Sequence, residues 1–381
     1  MTQPSPPRVG ILGGGQLGRM LLQAAIDLDI SVQVLDPDPR ASCASLTPHF
    51  FVGSLHDYAT VLAFGQDCTH ITIEIEDVNL AALEALEKQG KFVFPQPHVL
   101  RTIQNKRVQK EFFLAHQLPI APFIPWQEPV SQYAGPFPVV QKIETGGYDG
   151  RGVQVLKKSA DLAKALSGPS FFEEYVPFEK ELAVVVARGI NGETAAFPVV
   201  EMVFHPEANL VEYLFSPAQI SEKQSEMAKK IAQEAAQALG IIGLLAVEMF
   251  LLPSGEMIIN ECAPRPHNSG HHTLRANDVS QFEQHWRAIL GWPLGSTQAH
   301  GPAAMVNILG SEGHEGPAIY DGLAEILQIP GIHPYLYGKA ITKPFRKMGH
   351  VTILGDSVET LREKVQYIQK NLHVKSNEIH G

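Results

Sequence analysis

LLAVEMFLLPSGEMIINEC, residues 244–262, has the pattern of two apolar strands joined by a turn at Ser254 and Gly255. In a two-residue hairpin the numbers of paired residues have a constant sum. Leu252 then lies opposite Met257, and Glu248 lies opposite Glu261 on the same face of the sheet. The alternative is a longer turn, which shifts the register and turns one glutamate towards water.

The predicted glutamate pair indicates a cation site. Side chains directly opposite each other on neighbouring strands are about 5 Å apart. Two carboxylates at that separation repel by on the order of 3 kcal/mol at an effective dielectric constant near 20. A bound cation offsets this cost, and Mg²⁺ prefers carboxylate oxygens together with water and substrate phosphates. We therefore predict that Glu248 and Glu261 are metal ligands.

A polar segment, APRPHNSGHHT, follows the hairpin at residues 263–273. Its arginine and histidines, together with Cys262, allow a zinc site, but their spacing matches no common zinc pattern. Arginine and polar side chains beside a magnesium–phosphate site are better suited to holding anions. The residues that carry this interpretation are Arg265, His267, Asn268, His271 and His272.

A glycine-rich stretch, ETGGYDGRG at residues 144–152, lies between two predicted strands, FPVVQKI and GVQVLKK. The G-x-x-x-x-G-K-[ST] signature is absent, and strand–loop–strand is not the context of a Walker loop. The segment is either an ordinary turn or a flap whose backbone N–H groups cover phosphates. Lys142 on the incoming strand favours the flap.

The first hundred residues begin with a strand, a glycine turn and a helix, in RVGILGGGQLGRM. Gly13, Gly15 and Gly18 match G-x-G-x-x-G, and Asp36 ends the next predicted strand, which is the dinucleotide-binding pattern. An NAD-dependent oxidoreductase is therefore one alternative, and a sugar phosphate at the helix N-terminus is another. A further strand, THITIEIEDV, is predicted to carry Glu74 and Glu76 on one face at its end.

Composition limits the class of protein. The 381 residues suffice for two or three domains, and 44% hydrophobic with 18% charged residues is typical of a soluble protein. A net charge of −10 argues against a nucleic-acid partner. No apolar run predicts a membrane span or a secretory signal. Three cysteines, with no C-x-x-C pair, suggest reduced thiols in a cytoplasmic protein.

Taken together, these motifs resemble the ATP-grasp superfamily, and within it the 5-(carboxyamino)imidazole ribonucleotide synthase family of purine biosynthesis. GGGQLGRM, TIEIE, TGGYDGRG, NECAPRPHNSGHH, YGK and RKMGH carry the resemblance from residue 13 to residue 350. It implies a mixed α/β and α+β ATP-grasp fold. The expected domains are a Rossmann-like pre-ATP-grasp domain (1–102), an ATP-grasp domain (103–300, smaller lobe about 126–178) and a small β-containing C-terminal domain (301–381).

The resemblance also implies the residues that contact ATP and metal. They are Lys106, Lys142, the flap residues Gly147, Tyr148, Asp149, Gly150, Arg151 and Gly152, the adenine hinge Glu173, Glu174, Tyr175 and Val176, the ribose ligand Glu181, His205 near the nucleotide, Asn260, and the metal ligands Glu248 and Glu261. The cofactors implied are ATP and two Mg²⁺ ions, with bicarbonate as co-substrate and no biotin.

The ribonucleotide would be bound by residues from both ends of the chain. They are Gln16, Leu17, Glu74, Tyr148, Arg265, His267, Asn268, Lys339, Arg346 and Lys347. Asp149, Lys339 and Arg265 are the expected catalytic residues. Taken alone, the segment YGKAITKPFRKMGH (residues 337–350) is either a solvated basic loop or a set of cationic side chains that hold the phosphate of a substrate. A phosphorylated substrate favours the second alternative. The family suggests a homodimer without nucleic-acid or membrane partners.

Three departures affect these expectations. Lys106 stands where the family often has arginine, and Ala263 stands where many ATP-grasp enzymes have a ligating asparagine. The segment between Lys339 and Arg346 is one residue longer than expected, which leaves the separate roles of Lys343, Arg346 and Lys347 open. The nearest alternative is another ATP-grasp ligase, such as one that formylates glycinamide ribonucleotide; its glycine turn typically has Glu where this chain has Gln16. A biotin carboxylase would be longer.

Overall fold

The computed structural model describes residues 7–126, 130–147, 152–205 and 210–377. The N-terminal layer alternates short apolar strands with helices. Its elements are β1 (Arg8–Leu12), α1 (Gln16–Asp27), β2 (Ser31–Asp36), β3 (Phe50–Val52), α2 (Tyr58–Gln66), β4 (His70–Ile73), α3 (Leu80–Lys88), β5 (Phe92–Val93) and α4 (Pro97–Ile103). The strands are parallel in the order β3-β2-β1-β4-β5, the arrangement of a Rossmann-like sheet.

A small antiparallel sheet follows. Helix α5 spans Lys106–Ala115, and Asn105 is its N-cap. The Asn105 side chain accepts hydrogen bonds from the N–H groups of Arg107 and Val108. The sheet has the order β6-β9-β7-β8. Its strands are β6 (Phe123–Trp126), β7 (Val139–Ile143), β8 (Val153–Leu156) and β9 (Ser170–Glu174). The glycine-rich stretch therefore connects β7 to β8, as the sequence predicts.

A large antiparallel sheet with its helices follows the small sheet. Its elements are β10 (Lys180–Arg188), β11 (Thr194–Ala196), β12 (Val200–Phe204), β13 (Val211–Ser216), α6 (Glu222–Leu239), β14 (Gly243–Leu251), β15 (Met257–Ala263), α7 (Thr273–Ala276), α8 (Gln281–Ile289) and β16 (Ala303–Leu309). The alanine-rich face of α6 packs against β10 and β14 and forms the main core with them. Trp286 of α8 is fully buried and donates a hydrogen bond to Leu21 O at 2.9 Å, which joins this unit to α1.

The C-terminal region continues the large sheet. Its elements are β17 (Gly316–Pro317), β18 (Ile319–Asp321), α9 (Leu323–Ile326), β19 (Ile332–Leu336), β20 (Ile341–Thr342), β21 (Lys347–Leu354), α10 (Val358–Asn371) and β22 (His373–Lys375). Within the described ranges the strand order is β15-β14-β10-β12-β13-β16-β21-β19, with β11 beside β10. One sheet thus runs from the glutamate hairpin to the basic C-terminal segment, and the domain limits expected from the sequence stay a prediction.

Candidate active site

The glutamate hairpin has the predicted pairing but not the predicted turn. Leu251, not Leu252, lies opposite Met257, because the turn is longer: Leu252 N donates to Glu256 O at 2.9 Å. A β-bulge beyond Ile259 then restores the register, so that Glu248 lies opposite Glu261. The two-residue turn was therefore wrong, and the facing glutamates are confirmed.

Asn260 is the extra residue of this bulge, and its side chain contacts a lysine of the candidate site. Without the bulge Glu248 would lie opposite Asn260, and Glu261 would be directed to the other face of the sheet. With it, Asn260 Oδ1 accepts a hydrogen bond from Lys142 Nζ at 2.8 Å, and Glu261 Oε2 lies 2.6 Å from Lys106 Nζ. The bulge therefore lets two consecutive side chains of β15 contact the lysines predicted to hold phosphates.

Three carboxylates converge at the hairpin, and their pKa values differ in direction. Burial, followed by the charges of Glu261 and Glu181, raises the pKa of Glu248. The Lys106 ammonium lowers the pKa of Glu261. Burial and Glu261 raise the pKa of Glu181 to about 7. The site therefore concentrates negative charge that a cation would relieve.

The donor set fits magnesium that is completed by substrate. In the parts of the chain that the structure describes, no group of three or more His, Cys, Asp or Glu side chains is arranged to hold a metal ion. Mg²⁺ does not need such a cage, because it is usually bound through one or two carboxylates plus phosphate oxygens and water. Glu248 and Glu261 are the two carboxylates that would hold it.

Ionisation of Glu248 beside Glu261 should make the metal-free protein sensitive to pH. An acid whose pKa is raised on folding stabilises the folded state at low pH, and this contribution is lost as pH rises through the raised pKa. We expect the melting temperature in EDTA to fall by a few degrees between pH 6.5 and 9. Glu248→Gln should remove most of that fall, and Mg²⁺ with ADP should offset it in the unsubstituted protein. An equal fall in both proteins in EDTA would contradict this assignment.

A third lysine that sequence reasoning missed, Lys110, shares the carboxylate of Glu173 with Lys142. Lys110 is buried and forms an ion pair with Glu173, and its Nζ also donates to Ile259 O at 3.1 Å. Lys142 Nζ lies 2.6 Å from the other oxygen of Glu173. Burial lowers the pKa of Lys110 to about 8. The signal was present, because Lys106 and Lys110 are four residues apart and share one face of α5.

Glu173 therefore has a structural role for its side chain. It was predicted, with the three residues that follow it, to form the adenine hinge through backbone groups. Its carboxylate is buried between Lys110 of α5 and Lys142 of β7. The two ammonium groups lower the pKa of Glu173 despite its burial. Glu174 and Tyr175 are exposed at the end of β9. The hinge role stays a prediction, and the carboxylate joins the small sheet to α5.

The base of the glycine flap is anchored to the start of α5. Glu144 accepts hydrogen bonds from Asn105 Nδ2 at 3.0 Å and Arg107 Nε at 2.8 Å, and its carbonyl accepts from Lys106 N at 2.8 Å. Gly152 adopts φ +81°, which favours glycine. Tyr148, Asp149, Gly150 and Arg151 lie outside the described residues, so their predicted roles are untested.

The first glycine turn is occupied by the chain's own carboxylates. Glu74 Oε2 accepts from the N–H groups of Leu17 and Gly18, each at 3.0 Å, and Asp36 Oδ2 accepts from Gly14 N at 2.7 Å. A dinucleotide pyrophosphate would have to displace Glu74 from the N-terminus of α1. Strand β4 ends at Ile73, so the prediction that Glu74 and Glu76 belong to the strand was wrong. They lie just beyond its carboxyl end, where ligands of open sheets bind.

The segment after the hairpin links several elements. Arg265 Nε lies 2.8 Å from Glu76 Oε2, and His267 Nε2 lies 3.4 Å from Glu248 Oε1. The amide groups of Asn268 and Asn307 exchange hydrogen bonds of 2.9 and 3.0 Å. Of the predicted substrate residues, Arg265 thus contacts the segment just beyond β4, His267 the glutamate hairpin and Asn268 strand β16. The next two histidines, His271 and His272, are each 1% exposed and belong to the interior.

The basic C-terminal segment acts electrostatically on the hairpin. The Lys347 ammonium lowers the pKa of Glu248, against the larger effects of burial and of the neighbouring carboxylates. Lys339 Nζ donates to Lys347 O at 2.8 Å, and Arg346 donates to Ile341 O at 2.8 Å. The ring centroid of His205 lies 5.5 Å from that of Phe345 in this segment. The segment therefore contacts His205 and acts electrostatically on Glu248.

Comparison with known families agrees with this architecture. Residues 7–104 match the ribonucleotide synthetase preATP-grasp domain, residues 111–282 the ATP-grasp domain, and residues 303–364 the phosphoribosylaminoimidazole carboxylase C-terminal domain. The chain is 38% identical to the N5-carboxyaminoimidazole ribonucleotide synthase of Synechococcus elongatus, over 91% of this chain and 89% of that protein. The chain belongs to the N5-carboxyaminoimidazole ribonucleotide synthase family. It is an ATP-grasp ligase.

Solved structures of the family have the same fold. The N5-carboxyaminoimidazole ribonucleotide synthetase of Thermotoga maritima superposes with a TM-score of 0.91 at 40% identity, covering 97% of this chain and all of that one. The N5-carboxyaminoimidazole synthase of Aspergillus clavatus, in complex with ADP and 5-aminoimidazole ribonucleotide, superposes with a TM-score of 0.87 at 31% identity. It covers 96% of this chain and 98% of that one.

Membership of the synthase family replaces the oxidoreductase interpretation of the first glycine turn, and it confirms the predicted ATP-grasp fold. It also argues against the nearest alternative, formylation of glycinamide ribonucleotide. Across the described ranges, no helix has the length and apolar character that a bilayer crossing requires. A cytoplasmic location and a homodimer stay predictions.

Proposed function

We propose that this protein carboxylates the exocyclic amine of 5-aminoimidazole ribonucleotide at the expense of ATP, in purine biosynthesis. Bicarbonate attacks the γ-phosphorus of ATP and gives carboxyphosphate and ADP. The amine then attacks the carboxyl carbon, the C–O bond to phosphate breaks, and the products are N5-carboxyaminoimidazole ribonucleotide, phosphate and a proton. The observation that carries the proposal is the pairing of Glu248 with Glu261 beside Lys106 and Lys142.

The residues on the hairpin side would bind the nucleotide. Magnesium held by Glu248 and Glu261 would neutralise charge that develops on the transferred phosphoryl group. Lys106 and Lys142 would exchange part of their present contacts, with Glu261 and Asn260, for phosphate oxygens. Both lysines are largely buried, and a charge–charge contact is stronger where water is excluded.

The residues on the β4 side would bind the ribonucleotide. Glu74 and Gln16 lie at the first glycine turn, and Arg265 is held beside that edge by Glu76. We propose that Asp149 and Lys339 manage proton transfer and polarise the carboxyl donor, and that Arg265 helps to form the pocket for bicarbonate and the aminoimidazole. Carboxyphosphate hydrolyses easily, so water must be excluded, and the glycine flap between β7 and β8 is the segment proposed to do so.

The test is ADP release with Mg²⁺ and ATP, with and without bicarbonate and 5-aminoimidazole ribonucleotide. We expect release to depend on bicarbonate and to be strongly stimulated by the ribonucleotide, with one carboxylated product formed for each ADP. Stimulation by glycinamide ribonucleotide and formate instead would keep the ATP site and overturn the proposed substrate. An absence of ATP turnover with every acceptor would overturn the proposal as a whole.

A further inference from the structure

Arg19 is a half-buried cation without a carboxylate partner in the described parts of the chain. It lies on the first turns of α1, three residues after Gln16 and therefore on the same helical face. Its guanidinium donates one hydrogen bond, from Nη1 to Ser42 O at 3.3 Å. The nearby carboxylates of Asp36 and Glu74 are bonded to backbone N–H groups of the glycine turn instead. Most of the donors of Arg19 are therefore available to a ligand.

The position of Arg19 joins the first glycine turn to the C-terminal basic segment. Its Nη1 lies 3.2 Å from the point that a Cβ atom would occupy at Gly338, and Gly338 itself has φ +71°. Any other residue at this position would be strained and would also press on the guanidinium. The next residue, Lys339, is a predicted substrate ligand. Arg19 thus joins the helix that begins with the predicted ligand Gln16 to the segment that carries the predicted ligand Lys339.

From this placement we infer that Arg19 binds the 5′-phosphate of the ribonucleotide, an inference that rests on the proposed function. A planar guanidinium presents paired N–H donors that match two phosphate oxygens, which an ammonium group cannot do. Two backbone N–H groups at the start of α1, those of Leu17 and Gly18, already donate to Glu74. The side chain of Arg19 supplies the anion contact beside this turn. Arg19 therefore determines specificity for a phosphorylated substrate over its nucleoside.

The experiment compares the ribonucleotide with 5-aminoimidazole ribonucleoside, which lacks the phosphate. We expect Arg19→Gln to raise the KM for the ribonucleotide about 10- to 100-fold, the range for losing charged hydrogen bonds. The KM for ATP and the weak activity with the nucleoside should change less than about threefold, because neither involves the phosphate contact. Arg101→Gln is the matched control, since Arg101 is an exposed arginine on a helix of the same layer, paired with Glu84.

The outcomes separate this inference from the proposed function. If the unsubstituted enzyme does not turn over the ribonucleotide, the proposed function fails. If it does, and Arg19→Gln keeps the original preference for ribonucleotide over nucleoside, Arg19 is not the phosphate ligand. Should Arg19→Gln fail to fold, Arg19→Lys provides the test. Lysine keeps the charge but loses the fork, so the KM for the ribonucleotide alone should rise severalfold; an unchanged KM would overturn the inference.

Discussion

Glu261→Gln is expected to reduce ribonucleotide-stimulated ADP formation by about 10³-fold, which corresponds to several kcal/mol of transition-state stabilisation. Glu261 faces Glu248 across the hairpin and is the ion partner of Lys106. The amide removes the negative charge that magnesium needs, and it weakens the placement of the lysine. Saturating Mg²⁺ should recover only a small part of the lost rate.

The control for this variant lies in the same hairpin. Glu256 is exposed in the turn and is hydrogen-bonded to Ser254. Glu256→Gln should retain full activity, because the substitution is chemically identical but lies outside the site. A Glu261→Gln protein that keeps more than a tenth of the activity, with normal circular dichroism, would contradict the assignment of Glu261 as a metal ligand.

Lys142→Met should lower turnover about 10²- to 10³-fold and raise the KM for ATP, as expected for the loss of one buried charge at a transferring phosphoryl group. Lys142 is only 5% exposed, and its Nζ contacts Glu173 and Asn260. Methionine keeps the unbranched stem, and Lys110 remains to pair with Glu173. The fold should therefore persist, and thermal unfolding should show it before the kinetics are measured.

Lys180→Met is the matched control for Lys142→Met. Lys180 is also a strand lysine in an ion pair, with Glu201 at 2.8 Å, but it alternates with Glu181 and so faces away from the site. Its loss should cost stability and change kcat less than about threefold. Equal kinetic losses in the two variants would show that an effect on folding, not a phosphate contact, explains the result for Lys142.

The facing glutamates were predicted correctly, although the turn from which they were predicted was wrong. The pairing of Glu248 with Glu261 was derived from a two-residue turn. The real turn is longer, and the bulge at Asn260 compensates for the difference. Turn length and bulges depend on how the strands twist and pack, so hydrophobic alternation alone cannot predict them. The facing glutamates were nevertheless predictable, because both belong to one local hairpin.

The sequence by itself determined the features that neighbouring residues encode. The helix that follows the first glycine turn and the strands on either side of the flap follow from local pattern. The motifs from residue 13 to residue 350 indicated the family through their resemblance to it. Local pattern therefore sufficed for individual helices and strands, and the resemblance sufficed for the ATP-grasp fold; the candidate ligands stay predictions.

Only the tertiary structure decided the contacts between distant segments. Glu74 caps α1 across a separation of 57 residues, Lys110 reaches the carbonyl of Ile259 across 149 residues, and Arg19 meets Gly338 from the other end of the chain. The addition of β16, β21 and β19 to the central sheet is of the same kind. The physical reason is that burial and ion pairing depend on which surfaces meet, and no local pattern specifies the partner of a buried charge.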